Sequence, residues 1–174
     1  MAMDDGSIEW FCPDPRGVLP LDSVRVPSRL RRVVRSGQFE VAIDRDFEAV
    51  IRACAADRSE GTWISDDILM SYIALHRQGV AHSVETWRGG TLVGGLYGVQ
   101  IGGAFFGESM FHSETDASKV ALVALVTRMR ERDMALLDIQ WVTPHLAQFG
   151  AMEIPRDDYL SQLAVAVDAE RTFV

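Results

Sequence analysis

The spacing of apolar residues changes character along this chain, and the changes mark its elements. DFEAVIRACAADR (46–58) sets Phe47, Val50, Ile51 and Cys54 three and four residues apart, the period of a helix with one buried face. DDILMSYIALHRQ (66–78) follows as a second helix, with Ser65 placed to cap it, Asp66 and Asp67 in its first turn and Gly79 at its end. The period then drops to two. AHSVETW (81–87), TLVGGLYGVQ (91–100) and AFFGESMF (104–111) read as three strands. Arg88-Gly89-Gly90 and Gly102-Gly103 join them as tight hairpins, which makes an antiparallel meander. Residues 116–132 return to a strong helical pattern, and ALLDIQW (135–141) is a strand. Thr143-Pro144 opens a short helix ending at Gly150, and residues 155–167 form a last helix. Upstream, SRLRRVVRSG (28–37) is a short basic helix stopped by Gly37, and FEVAID (39–44) alternates like a strand. The first two dozen residues, punctuated by Pro13, Pro15 and Pro20, read as irregular and extended.

One strand poses a chemical question. ALLDIQW is apolar enough to be buried, yet Asp138 and Gln140 sit inside it. In a regular strand, residues two apart point to the same side, so the run aims a carboxylate and a carboxamide together. An unpaired buried carboxylate is expensive, so the pair needs partners, water or a reaction to serve. From the residues alone, a satisfied polar pair tying the sheet to a loop and a catalytic pair both fit.

Composition narrows the class. The 174 residues suit one domain, read here as an N-terminal segment with the basic helix (1–37) and a main body (38–174). The net charge of −8 and pI near 4.9 argue against non-specific nucleic-acid binding, which needs clustered cations. The exception is local: Arg29, Arg31, Arg32 and Arg35 fall within seven residues. Two cysteines, Cys12 and Cys54, match neither a disulfide framework nor a metal motif, and no metal site is expected. No apolar run is long enough to span a bilayer, and no secretory leader is visible, so the cytoplasm is the expected location.

The order strand, two helices, three-stranded meander, helix, strand, helix is similar to that of GNAT acyltransferases, a mixed α/β sheet flanked by helices. Members that use acetyl-CoA carry an R-x-x-G-x-G/A loop after the third meander strand, whose backbone N–H groups hold the pyrophosphate. Here that place is taken by GESMFHSETDASK, without the glycine pattern and with Lys119 alone as a cation. Acetyl-CoA is therefore disfavoured, and no cofactor is expected.

More specific blocks point elsewhere. GTWI (61–64), HSVETW (82–87), LVGGLYGV (92–99), FFGESMF (105–111), DASKVAL (116–122), LLDIQW (136–141) and TPHLAQFGAMEIPR (143–156) resemble the leucyl/phenylalanyl-tRNA–protein transferases. PDPRGVLP (13–20) and DYL (158–160) extend the likeness over nearly the whole chain. The resemblance implies transfer of Leu, Phe or, less well, Met from aminoacyl-tRNA to proteins beginning with Arg or Lys, marking them for N-end-rule degradation. It places the catalytic pair on Asp138 and Gln140, with Glu108 as a third polar site residue holding either the acceptor's basic side chain or the donor's amino group. It sets the donor side-chain pocket on Trp63, Leu96, Phe105, Met110, Leu122, Leu125, Met129 and Leu137, and the tRNA contact on the four arginines. A carboxylate could bind an incoming ammonium and take its proton, while the amide orients the reacting groups.

The resemblance also implies a difference. Members carry a further N-terminal portion ahead of the P-D-P-R stretch and the Trp before it, and here only a few residues precede Trp10. A pocket missing that wall is expected unless Trp10 and Phe11 cover it. Two other readings stay open at this point: an N-acetyltransferase of GNAT fold, and a non-catalytic binder of aminoacyl-tRNA or protein N-termini.

Overall fold

The computed structural model describes residues 11–56 and 62–174. The strands are β1 (Arg16–Val18), β2 (Glu40–Ile43), β3 (Ala81–Arg88), β4 (Thr91–Ile101), β5 (Ala104–His112), β6 (Leu136–Gln140) and β7 (Met152–Ile154). The helices are α1 (Ser28–Arg35), α2 (Phe47–Ala56), α3 (Asp66–Arg77), α4 (Ala117–Glu131), α5 (Pro144–Ala147) and α6 (Arg156–Val167). Among the described residues the strands form one sheet, ordered β2-β3-β4-β5-β6-β1-β7. All neighbours are antiparallel except β5 and β6. The expected mixed α/β fold, with a meander flanked by helices, is therefore present, and no helix is long and apolar enough to cross a membrane among the described residues.

Local chemistry accounts for several boundaries. Ser65 Oγ accepts from the Ile68 N–H at the start of α3, as its position suggested. Thr143 does the same for the Leu146 N–H, with Pro144 in the first turn of α5. Gly94 lets α4 lie close on β4: a Cβ there would sit 2.6 Å from that of Ala117.

The helices cover both faces. On one face α4 and α1 bury Leu30, Val84, Leu96, Phe105, Leu122, Leu125 and Leu137 in the largest core cluster. On the other, α2 and α3 close over Phe47, Ile51, Ile68, Tyr97 and Phe111, while α6 closes over Ala104, Leu136 and Tyr159.

Two short strands depart from the sequence reading. Residues 16–18, expected to be irregular, form β1 in the interior of the sheet, between β6 and β7. Residues 152–154, assigned no element, form β7 at the edge. Both are held by pairing with strands distant in the chain rather than by their own pattern.

Candidate active site

The site lies where the parallel seam of the sheet parts. Strands β5 and β6 pair over Ala104–Phe106 and Leu136–Asp138 and no further. Beyond that point Gly107 to Met110 on one side and Ile139 to Trp141 on the other line a cavity of about 620 Å³. Its floor and walls also take Trp63, Leu96, Leu122, Leu125 and Leu137, so most of the lining is apolar. The size falls in the range of small-ligand pockets.

Departures from regular pairing aim the polar groups. In β5, Tyr97 pairs with Ser109 and Gly98 with Gly107, so Glu108 is passed over as a β-bulge. In β6, Gly17 pairs with Gln140 and Val18 with Asp138, which leaves Ile139 extra. Gln140 then takes φ +63°, and the Trp141 N–H donates to the Ile139 carbonyl at 2.7 Å. A positive-φ turn of this kind is rare for a residue with a side chain and costs on the order of 1–3 kcal/mol. The bulge and turn break the alternation, so Asp138 and Gln140 do not project side by side.

Asp138 is fully buried and does not line the cavity. Its Oδ1 accepts from Arg16 Nε at 3.0 Å and the Gln140 backbone N–H at 2.8 Å. Its Oδ2 accepts from Arg16 Nη2 at 2.8 Å and the Tyr159 hydroxyl at 2.6 Å. Four donors thus engage its two oxygens, and no lone pair is left directed at the cavity. Burial alone would lower the Arg16 guanidinium pKa, but the hydrogen bonds and charge of Asp138 outweigh it. Burial, reinforced by Asp138, pushes the Tyr159 hydroxyl well above its ordinary value, so it remains a donor.

Gln140 and Glu108 do meet at the cavity. The Gln140 Nε2 donates to the Gly107 carbonyl at 3.2 Å and to Glu108 Oε2 at 3.3 Å. The Tyr72 hydroxyl also hydrogen-bonds Glu108. Burial holds the Glu108 carboxyl above the usual carboxylate range, with the bonds from Tyr72 and Gln140 pulling the other way. His145, also in the wall, is held below the ordinary histidine value by burial and by the nearby Lys119 and His112.

Of the eight expected pocket residues, Trp63, Leu96, Met110, Leu122, Leu125 and Leu137 line the cavity. Phe105 and Met129 do not: both are fully buried in the core behind it. Tyr97, Ser118, Ile139, Trp141 and Leu146 line it without having been singled out. Trp10 lies outside the described residues, and Phe11 is exposed and is not part of the wall. Among the described residues no group of three or more His, Cys, Asp or Glu side chains is placed to hold a metal ion.

The four arginines divide. Arg29 reaches Asp116 at 3.5 Å, and Arg31 donates to the Val26 carbonyl. Arg32 and Arg35 are exposed and, among the described residues, carry no side-chain partner. Asp116 also takes Lys119 Nζ at 2.9 Å. It thereby ties the basic helix to the start of α4, whose Ser118 and Leu122 form cavity wall.

The family model described as leucyl/phenylalanyl-tRNA protein transferase matches residues 18–164. The chain belongs to this family. It is 55% identical to the leucyl/phenylalanyl-tRNA–protein transferase of Rubrobacter xylanophilus over 99% of this chain and 90% of that one. The transferase of Rhodopseudomonas palustris is 53% identical over 99% of this chain and 77% of its own length, and that of Chlorobaculum tepidum 49% over 98% and 89%. The solved structure of L-PGS from Bacillus licheniformis shares 12% identity and a TM-score of 0.47 over 77% of this chain and 50% of that one. As a leucyl/phenylalanyl-tRNA protein transferase family member the chain is an aminoacyltransferase, and the acetyltransferase reading falls away.

Proposed function

We propose that this protein transfers Leu, Phe or Met from aminoacyl-tRNA to the N-terminal amine of proteins beginning with Arg or Lys, acting in the cytoplasm and marking those proteins for degradation. The observation that carries the reading is the Gln140 carboxamide, bridged to Glu108 in the wall of an apolar cavity. An apolar donor side chain enters between Leu96, Leu122, Leu125 and Leu137, which sets its ester carbonyl beside Gln140. The amide N–H groups are committed to Gly107 and Glu108, so the amide oxygen faces the incoming amine as an acceptor. Glu108, as a carboxylate, anchors the cationic head of the acceptor.

The chemistry balances without a cofactor. The neutral amine attacks the ester carbonyl carbon, a C–N bond forms, and the C–O bond to the terminal ribose breaks. The proton lost by nitrogen ends on the ribose oxygen. The protein contributes placement, which can supply several kcal/mol of the barrier, on the order of 7–11 in the best-oriented cases. Asp138 contributes indirectly, by holding the Gln140 backbone N–H. The exposed Arg32 and Arg35, on the helix tied to α4, meet the tRNA backbone.

The test is incubation with Leu-tRNA and an Arg-starting peptide, read by mass. The wild type is expected to extend the peptide by one Leu, and Gln140→Ala to do so far more slowly. Binding of both substrates with no extended peptide would favour the non-catalytic alternative.

A further inference from the structure

We infer that Arg16 and Tyr159 are positioning residues for the transfer, acting through Asp138 on the backbone of Gln140. The inference rests on the reading of Gln140 given above. Neither residue lines the cavity, and neither can touch a donor held in it.

The argument begins with Gln140. Its positive φ of +63° is one that an ordinary residue leaves unless its surroundings fix it. If it relaxed to extended backbone, its side chain would leave Gly107 and Glu108. The Gln140 N–H is held by Asp138 Oδ1 at 2.8 Å, so the rotation of that carboxylate decides whether the turn is held. The rotation is in turn set from two sides. Arg16 on β1 grips both oxygens with its planar fork, and Tyr159 on α6 fixes Oδ2 at 2.6 Å. β1 itself comes close because residue 17 is glycine: a Cβ there would lie 2.8 Å from the Trp141 carbonyl carbon. Three segments distant in the chain thus converge on one carboxylate, and its hydrogen-bonded route to the cavity runs through the Gln140 backbone.

A residue that only supported the fold would, when changed, lower stability and leave turnover of the folded protein alone. A positioning residue acts on kcat. Tyr159→Phe keeps the ring and removes one donor, and Arg16→Lys keeps the charge and breaks the two-pronged grip. The expected result for both, in the full chain, is a fall in kcat of about ten- to a hundredfold, the range set by misplacing a reacting group by about an ångström. The KM for Leu-tRNA is expected to stay within about twofold, since binding contacts are unchanged.

A double-mutant cycle then asks whether the effect runs through Gln140. In a Gln140→Ala background, Tyr159→Phe is expected to cost nothing further. Three results would overturn the inference. One is wild-type kcat in Tyr159→Phe and Arg16→Lys while Gln140→Ala is slow. Another is the same factor lost in both backgrounds, which would make Tyr159 independent of Gln140. The third is wild-type turnover in Gln140→Ala itself, which would remove the underlying reading as well and is distinguishable for that reason. Circular dichroism of each variant restricts the comparison to folded protein, and Arg16→Lys stands in should Tyr159→Phe not fold.

Discussion

Replacing Asp138 by Asn tests how the buried clamp divides between fold and reaction. The carboxylate has zero exposure and its partner Arg16 about 10%, so the pair is screened little by water. Asparagine is nearly isosteric but offers one acceptor oxygen and an NH2 group. If the NH2 takes the place of Oδ1, it meets Arg16 Nε and the Gln140 N–H; in place of Oδ2, it meets Arg16 Nη2 and the Tyr159 hydroxyl. Either orientation sets donor against donor and leaves a buried guanidinium without its counter-charge. Breaking a buried pair from one side costs about 3–5 kcal/mol. For a chain of this size that corresponds to a fall in melting temperature of roughly 6–20 °C. Urea unfolding followed by circular dichroism measures it. Gln140→Ala is the control: half-buried and held by two longer bonds, it is expected to cost about 1 kcal/mol. Both variants are expected to lose transfer when assayed well below their midpoints, but Asp138→Asn alone to lose much stability. An Asp138→Asn protein within about 1 kcal/mol of wild type would show that the four-donor enclosure contributes little, and the reasoning would fail.

Three further outcomes follow from other parts of the site. Because burial raises the Glu108 carboxyl, the folded state favours its protonated form, and stability is lost as pH climbs from the ordinary glutamate value near 4.3 through the higher folded one. Glu108→Gln is thus expected to melt above wild type at pH 7.5 and level with it near pH 4, while losing transfer; an equal gap at both pH values would contradict this. Replacing Arg32 and Arg35 together by Gln is expected to lower the log–log salt slope of aminoacyl-tRNA binding by roughly 0.7–0.9 per lost contact and to spare a minimal aminoacyl-adenosine donor. Met110→Ala, in the wall, is expected to change the ratio of Leu to Phe transfer, whereas Met129→Ala, behind it, costs about 2–5 kcal/mol of stability and leaves the ratio alone.

How much of this was legible in the chain depended on how local each cause is. The meander declared itself because period-two alternation and Gly-Gly turns lie within thirty residues of one another, and Ser65 announced α3 for the same reason. RGV and MEI did not, since three residues carry no period and their strand state comes from pairing with each other and with β6. Glu108 and Gln140 were found through the resemblance of their blocks, and the structure brings them within hydrogen-bonding distance. The relative aim of Asp138 and Gln140 was misjudged because the alternation rule assumes a regular strand, and the extra Ile139 with the positive φ at Gln140 removes that assumption. Periodicity also says which side a residue faces but not how deep it lies, so Phe105 and Met129 could not be told from Leu96 and Leu125. Arg16 and Tyr159 lie in blocks that carry the resemblance, PDPRGVLP and DYL, but nothing local marked them as partners of Asp138. Their partner is 122 residues away for one and 21 for the other.

The interior place of β1 has a consequence for how the enzyme is born. This strand has no sheet neighbour until β6 and β7 have been synthesised. At about 5–20 residues per second, the 122 residues between Arg16 and Asp138 take roughly 6–24 s. The meander and α4 can assemble during that interval from contiguous chain, whereas the half that completes the active site must be closed by an earlier segment returning to a later one. Nascent chains are therefore expected to acquire a protected meander first and transfer activity only once β1 has docked between β6 and β7.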